Sequence, residues 1–353
     1  MKVLLAAGGS GGHIFPAVRV ALACREKNFP CLVVGSLKFG RRRLEENSIA
    51  FEDIETCGFN AHRFFKACYL SGRALQRSRQ IIREFQPDVV IGFGGYSSFP
   101  VCAAARLAGK PVLIHEQNVV PGKANRLVSL WARKVLVSFQ KSCSFFPKTK
   151  CEVSGCPSLI DNVQVSHEEA LRFFGFEPGR YTLLVFGGSQ GSQKINRIFL
   201  KAARELYQKM PFQVIHLLGK DGEEEAAAFY RREGINAFVA PFLERMDFAY
   251  AAADLVLARA GALTVTEVIC FQKAAIFVPY PHARAHQKEN ALALKGSPFA
   301  VVMEDAALNA AALIHAIYHQ YERHRPGGGE KYPKGFTGSP AERILEEAQT
   351  CLG

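Results

Sequence analysis

The sequence predicts an α/β protein built from two doubly wound parallel-sheet domains, and three observations predict it. Residues 2–7 form a short apolar run that ends in Gly8-Gly9-Ser10-Gly11-Gly12 and leads into a helix-patterned stretch, 16–25. Roughly 180 residues later the pattern returns, with 181–186 running into Gly187-Gly188-Ser189-Gln190-Gly191 and a helical stretch at 196–209. Between them, 88–91 leads to Gly92-Phe93-Gly94-Gly95, and 111–114 leads to His115-Glu116-Gln117-Asn118. Apolar runs that end in glycine turns and open helices read as buried parallel strands, each with its crossover helix.

A chain of 353 residues is long enough for two such cores. The break is expected near Val153-Ser154-Gly155-Cys156-Pro157, giving one domain over 1–158 and a second over 159–337. Arg325-Pro326-Gly327-Gly328-Gly329 reads as a loop before a last amphipathic helix at 340–351, and 338–353 is expected to return to the first domain.

The composition, 48% hydrophobic and 22% charged, is that of a folded globular protein. No run approaches the roughly 18 apolar residues that a membrane span needs. Lys2 and Ala21-Leu22-Ala23-Cys24 imitate an export signal, but the glycines from Gly8 to Gly12 interrupt the apolar region, so that reading is rejected. The ten cysteines include no CxxC and no histidine at zinc-ligand spacing. They read mostly as small buried apolar residues in a reducing cytoplasm. The net charge of +12 is uneven: 1–158 carries 23 Lys/Arg against 10 Asp/Glu, whereas 159–353 carries 21 against 22. A polyanionic partner for the first half accounts for this, and so does plain solubility.

Glycine at a strand-to-helix turn lets backbone amides approach a phosphate, and the helix dipole favours negative charge there. Tight packing alone also explains such turns. No GxxxxGK[ST] is present, the GxGxxG spacing fails, and the second strand, 31–34, ends in Gly35-Ser36 without the acidic residue that holds an NAD ribose. Kinase and oxidoreductase readings therefore lose ground. His13, in a loop at a helix start, is a candidate for chemistry. Arg259-Ala260-Gly261-Ala262-Leu263-Thr264-Val265-Thr266-Glu267 follows the strand-like run 255–258. Glu267, expected in the first turn of the next helix, either accepts two ribose hydroxyls or merely complements the helix dipole. Pro279-Tyr280-Pro281-His282, with His286, Gln287 and Asn290, reads as a rigid loop carrying sugar-binding groups or as turn structure alone.

Taken together, GGSGGHIFP (8–16), GFGGYS (92–97), HEQNVVPGKANR (115–126), GGSQGSQKIN (187–196) and RAGALTVTE (259–267) resemble the MurG family, the peripheral membrane N-acetylglucosaminyltransferases of peptidoglycan synthesis. The matches occur in family order from residue 8 to about 290. The resemblance implies a GT-B fold: two Rossmann-like domains facing a cleft, the first binding acceptor and membrane, the second binding a UDP-sugar. It implies inverting transfer of GlcNAc from UDP-GlcNAc to the C4 hydroxyl of undecaprenyl-linked lipid I, giving lipid II, without a cofactor or active-site metal. Carried over by motif, Ser10, Gly11, Gly12 and Asn118 contact the donor from the first domain. Ser189, Leu243, Ala262, Leu263, Thr264, Val265, Thr266, Glu267 and Gln287 contact it from the second, with Glu267 on the ribose and Leu243 near uracil. His13, Tyr96, His115, Glu116 and Asn118 line the reaction cleft.

Inversion needs one in-line attack by a hydroxyl that loses its proton while UDP leaves. His13 is the first choice of base and Glu116 the second. Arg259 either stabilises the leaving group or fixes its loop. Two departures from the family stand out: Gly155-Cys156-Pro157-Ser158-Leu159 replaces the usual GNPVR, and Gln272-Lys273-Ala274 replaces Gly-x-Pro. The implied partners are UDP-GlcNAc, lipid I, an anionic membrane surface and a cell-wall synthesis complex, with no nucleic acid, at the cytoplasmic face of the membrane. Arg63, Phe64, Phe65 and Lys66, then Arg73, Arg77, Arg79 and Arg83, read as a membrane-binding stretch or as a surface helix preceded by core aromatics. The rival readings are another UDP-sugar transferase, a non-hydrolysing UDP-GlcNAc 2-epimerase, which would lack the HEQN and GALT pair, and a basic nucleotide- or nucleic-acid-binding protein.

Overall fold

The computed structural model describes residues 1–38, 40–57, 64–161, 164–188, 191–281, 286–324 and 338–352, with Phe64 described by its backbone alone. Ser189, Gln190, Arg63, His282 and the 325–329 loop, all singled out in the sequence, lie outside the described residues. The chain divides into two compact units, Met1–Asp161 with Gly338–Gly353, and Asn162–Thr337.

The first unit runs β1 (Val3–Gly8), α1 (Gly11–Glu26), β2 (Cys31–Ser36), α2 (Arg41–Glu46), β3 (Ala50–Asp53), α3 (Phe64–Phe85), β4 (Val89–Gly92), α4 (Ser98–Leu107), β5 (Val112–Glu116), α5 (Lys123–Ser129), β6 (Lys134–Val137) and β7 (Cys151–Val153). Its strands form one parallel sheet in the order β3-β2-β1-β4-β5-β6-β7. β1 is buried on both faces, as an inner parallel strand must be. Val3, Leu5 and Ala7 point to a core shared with α1, while Leu4 and Ala6 point to one shared with α4.

The second unit runs α6 (His167–Phe174), β8 (Tyr181–Phe186), α7 (Gln193–Lys209), β9 (Phe212–Leu217), α8 (Glu223–Arg232), β10 (Ala237–Ala240), α9 (Met246–Ala252), β11 (Leu255–Ala258), α10 (Ala262–Cys270), β12 (Ala274–Phe277), α11 (His286–Leu292), β13 (Ala300–Val302) and α12 (Ala310–Arg323). Its parallel sheet has the order β10-β9-β8-β11-β12-β13. The last helix, α13 (Pro340–Thr350), belongs to the first unit, where Ala341, Ile344, Leu345 and Ala348 join the core beneath α1. Ser339 caps it through Glu342 N at 3.5 Å, and Pro340 opens it with its missing N–H at no cost.

Several boundaries differ from expectation by a few residues, and three of the differences matter to the site. α1 begins at Gly11, so Pro16 lies inside the helix, where it removes one hydrogen bond near the N-terminus and the helix continues. α7 begins at Gln193 because Ser192 caps it by accepting from Ile195 N at 3.4 Å. β5 extends to Glu116, so His115 and Glu116 are strand residues rather than turn residues. The ten cysteines are all free, with four buried, four half-buried and two exposed, a smaller buried share than the sequence suggested. Among the described residues, no helix is long and apolar enough to cross a membrane.

Candidate active site

In the first sheet, β1 and β4 are neighbours whose following helices, α1 and α4, lie on opposite faces. Their carboxyl ends therefore form a topological switch point, where open α/β sheets leave room for a ligand. Two glycine turns meet there. Gly95 has φ +83°, and a Cβ on it would sit 2.2 Å from the Gly8 carbonyl oxygen, so only glycine allows this approach. Ser10 is exposed and caps α1 in an extended conformation without a side-chain hydrogen bond. The amides of Gly11 and Gly12 have no acceptor among the described residues, as expected of a first helical turn.

His13, in that first turn, is half-buried. Its Nδ1 lies 3.0 Å from Oε1 of Gln117, whose Nε2 lies 3.1 Å from Nδ1 of His115. Nε2 of His115 lies 2.9 Å from the Gly155 carbonyl oxygen. His115 is fully buried, and burial lowers its pKa to about 4. Glu116 is also fully buried and accepts four hydrogen bonds. The donors are Asn118 N (2.9 Å) and Asn118 Nδ2 (3.3 Å) on one oxygen, and Gly122 N (3.0 Å) and Asn125 Nδ2 (2.9 Å) on the other. This carboxylate ties the loop from Gln117 to Gly122 to Asn125 on α5. Asn118 is half-buried, and Tyr96, beyond β4, is 49% exposed. Gln117 was overlooked in the sequence although it lies inside the HEQN string; its partner His13 is 104 positions away, and no local pattern links them.

The second sheet repeats the switch point between β8 and β11. Gly261 caps α10 in an extended conformation without a side-chain hydrogen bond, leaving Ala262, Leu263 and Thr264 in the first turn. Val265 is fully buried, so its side chain is a core group, whereas Thr266 is half-buried. Glu267 is the sixth residue of α10 and stands in its second turn, not its first, because the helix begins at Ala262. Its carboxylate accepts from the Tyr250 hydroxyl at 3.0 Å. Leu243 is buried beside an exposed Phe242, and Gln287 uses its Oε1 to accept from Tyr280 N at 2.8 Å.

Arg259 is nearly buried and tightly tied. Nη1 donates to Val278 O (3.1 Å), Pro279 O (3.3 Å) and Asp305 (2.6 Å), and Nη2 donates to Ser192 Oγ (3.0 Å). Of the two roles open to it, these bonds match the one that fixes the loop. Burial raises the Asp305 pKa, but hydrogen bonds from Lys194 and Arg259 outweigh it, and the net direction is down. Leu159, at the position where the resemblance implies an arginine, packs part-buried against the core beneath α1 and α13. Among the described residues no cluster of three His, Cys, Asp or Glu side chains could hold a metal ion.

Two doubly wound sheets, each ending its central strand in a glycine turn at a switch point, are the two halves of a GT-B fold. The Glycosyltransferase family 28 N-terminal domain matches residues 3–137 and the family's C-terminal domain matches 182–326. The UDP-N-acetylglucosamine–N-acetylmuramyl-(pentapeptide) pyrophosphoryl-undecaprenol N-acetylglucosamine transferase of Halothermothrix orenii is 35% identical over 331 residues, covering 90% of this chain and 89% of that one. The crystal structure of Acinetobacter baumannii MurG superposes with a TM-score of 0.80 at 29% identity, covering 99% of both chains. The UDP-GlcNAc 2-epimerase of Neisseria meningitidis, with a TM-score of 0.69 at 15% identity over 99% of this chain and 100% of that one, shares the fold alone. The chain belongs to the MurG family of glycosyltransferases.

Proposed function

We propose that this enzyme transfers GlcNAc from UDP-GlcNAc to the C4 hydroxyl of lipid I, with inversion, as a peripheral protein at the cytoplasmic face of the membrane. The observation that carries this reading is the 35% identity, across about nine-tenths of both chains, to a transferase named for that donor and acceptor.

In this mechanism the acceptor hydroxyl gives its proton to His13 as its oxygen attacks the anomeric carbon in line, and the bond to the UDP oxygen breaks. His13 is favoured over Glu116 because the four donors on Glu116 occupy its lone pairs. Glu116 and His115 then act by positioning. With Arg259 committed to its loop, the leaving diphosphate is stabilised by the first-turn amides of Ala262, Leu263 and Thr264. Glu267 takes the ribose hydroxyls, the backbone of Leu243 lies near uracil, and Ser189, Val265, Thr266 and Gln287 complete the donor contacts of the second unit. The membrane reading rests on α3, where Phe65 is 88% and Tyr69 64% exposed beside Lys66 and Arg73.

The test offers purified enzyme a panel of UDP-sugars with a lipid I analogue, with and without a metal chelator. Turnover with UDP-GlcNAc in both arms is expected. Turnover with a different donor, and none with UDP-GlcNAc, would overturn the donor assignment while leaving the fold untouched.

A further inference from the structure

We propose that Gln117 is a positioning residue that sets the tautomer of His13, placing the proton on Nδ1 and the lone pair on Nε2. The inference rests on the reading of His13 as the base and extends it to the groups behind it.

The carbonyl oxygen of Gly155 can only accept, so Nε2 of His115, 2.9 Å away, carries a proton and donates it. His115 is fully buried with its pKa lowered to about 4, so at neutral pH it is uncharged and its Nδ1 holds a lone pair. The group facing that lone pair at 3.1 Å must donate, which assigns it as the Gln117 amide nitrogen. The same nitrogen lies 3.3 Å from the carbonyl oxygen of His115, a second acceptor. Turning the amide over would set its oxygen against both a lone pair and a carbonyl oxygen, so the orientation is fixed twice.

Consequently the Gln117 oxygen faces Nδ1 of His13 at 3.0 Å. An amide oxygen only accepts, so His13 Nδ1 carries the proton. Nε2 is left as the basic nitrogen. A neutral imidazole in water favours the opposite tautomer, with the proton on Nε2, which cannot serve as a base through that atom. Which nitrogen is protonated is set by the hydrogen bond on the other, and here that bond is dictated from a backbone carbonyl three groups away. Gln117 is 1% exposed, so water does not compete for its amide. When His13 takes the acceptor proton on Nε2, its bond to Gln117 becomes charge-assisted and nothing in the relay has to turn. No proton moves along the relay.

The test is tautomer assignment by NMR of the full chain labelled with [15N]histidine, the His13 signals being identified by their loss in His13→Gln. The expected result is a protonated Nδ1 with an unprotonated Nε2 for His13, and the reverse for His115. A His13 spectrum with the proton mainly on Nε2 would overturn the proposal without any assay. Gln117→Leu is expected to shift His13 toward the Nε2-protonated form and to lower kcat about tenfold at unchanged KM for UDP-GlcNAc. Wild-type kcat in that variant would also overturn it. Failure of the wild-type enzyme to use UDP-GlcNAc at all would strike the donor assignment, while the NMR result still decides the relay.

Discussion

The hydroxyl of Tyr250 donates to the carboxylate of Glu267 at 3.0 Å, from a ring that is fully buried and stacked on Phe271. Burial first, and then the charge of Glu267, push the phenol well above its ordinary range, so Tyr250 remains a donor. The bond fixes the carboxylate on the second turn of α10 and uses one of its acceptor positions. Glu267→Ala is therefore expected to weaken UDP-GlcNAc binding by about 100-fold and Tyr250→Phe by about fivefold. His13→Ala should leave donor binding close to wild type. Calorimetric titration of the three variants checks the order, and equal affinity of wild type and Glu267→Ala would refute the ribose role.

The ion pair of Arg259 with Asp305 predicts a pH-dependent loss. Asp305→Asn should cost about 2–3 kcal/mol at neutral pH, because a nearly buried guanidinium loses its charged acceptor. The folded pKa of Asp305 lies below its ordinary 3.8, so its contribution is complete above that value and is lost as pH falls through the lowered one. The gap between wild type and variant should thus close in strong acid. Urea denaturation at pH 7 and at a series of pH values descending from 3.8, followed by circular dichroism, measures it.

Two buried histidines should stay neutral where free histidine is charged. Burial lowers His115 to about 4 and His216 to about 3. Between these values and the ordinary 6.5 the unfolded chain binds protons that the folded chain refuses, so stability rises with pH across that window. Each histidine contributes about 1.4 kcal/mol per pH unit there. The ring resonances of both should hold still from pH 8 to pH 5, and a midpoint near 6.5 for either one would contradict its burial.

Arg19 on α1 pairs with Asp161 at 2.8 Å, and the two side chains are only 4% and 2% exposed. Asp161→Ala leaves that buried guanidinium with Glu26, 3.6 Å away and 54% exposed, as its remaining carboxylate and should cost about 3 kcal/mol. Replacing both residues, Arg19→Met with Asp161→Leu, should recover most of it. The single tryptophan, Trp131, belongs to the same unit and reports its unfolding by fluorescence.

Gln272, just beyond α10, has φ +52°, a left-handed conformation that glycine adopts without strain. The MurG family usually has glycine at this position. Gln272→Gly is expected to raise stability by about 1 kcal/mol, and a thermal midpoint at or below wild type would reject that account.

Strands were the most legible elements. β8 and β11 occupy 181–186 and 255–258 as read from the sequence, because inner parallel strands are unbroken apolar runs. Helix starts were less so: Gly11 and Gly12 look like turn, and only their place after an extended Ser10 makes them helical. That same uncertainty placed Glu267 one turn too early. The supporting contacts were not legible at all. Gln117 with His13, Arg259 with Asp305, and Tyr250 with Glu267 join positions 104, 46 and 17 residues apart, and only the sheet order brings them together.

The seating of α13 in the core beneath α1 also sets an order of assembly. The first unit contains both ends of the chain, whereas the second is one continuous segment. During synthesis the ribosome releases all of the second unit before Ile344 and Leu345 emerge to complete the first. The unit begun first is therefore finished last, and until then its α1 face exposes the apolar surface that α13 will cover.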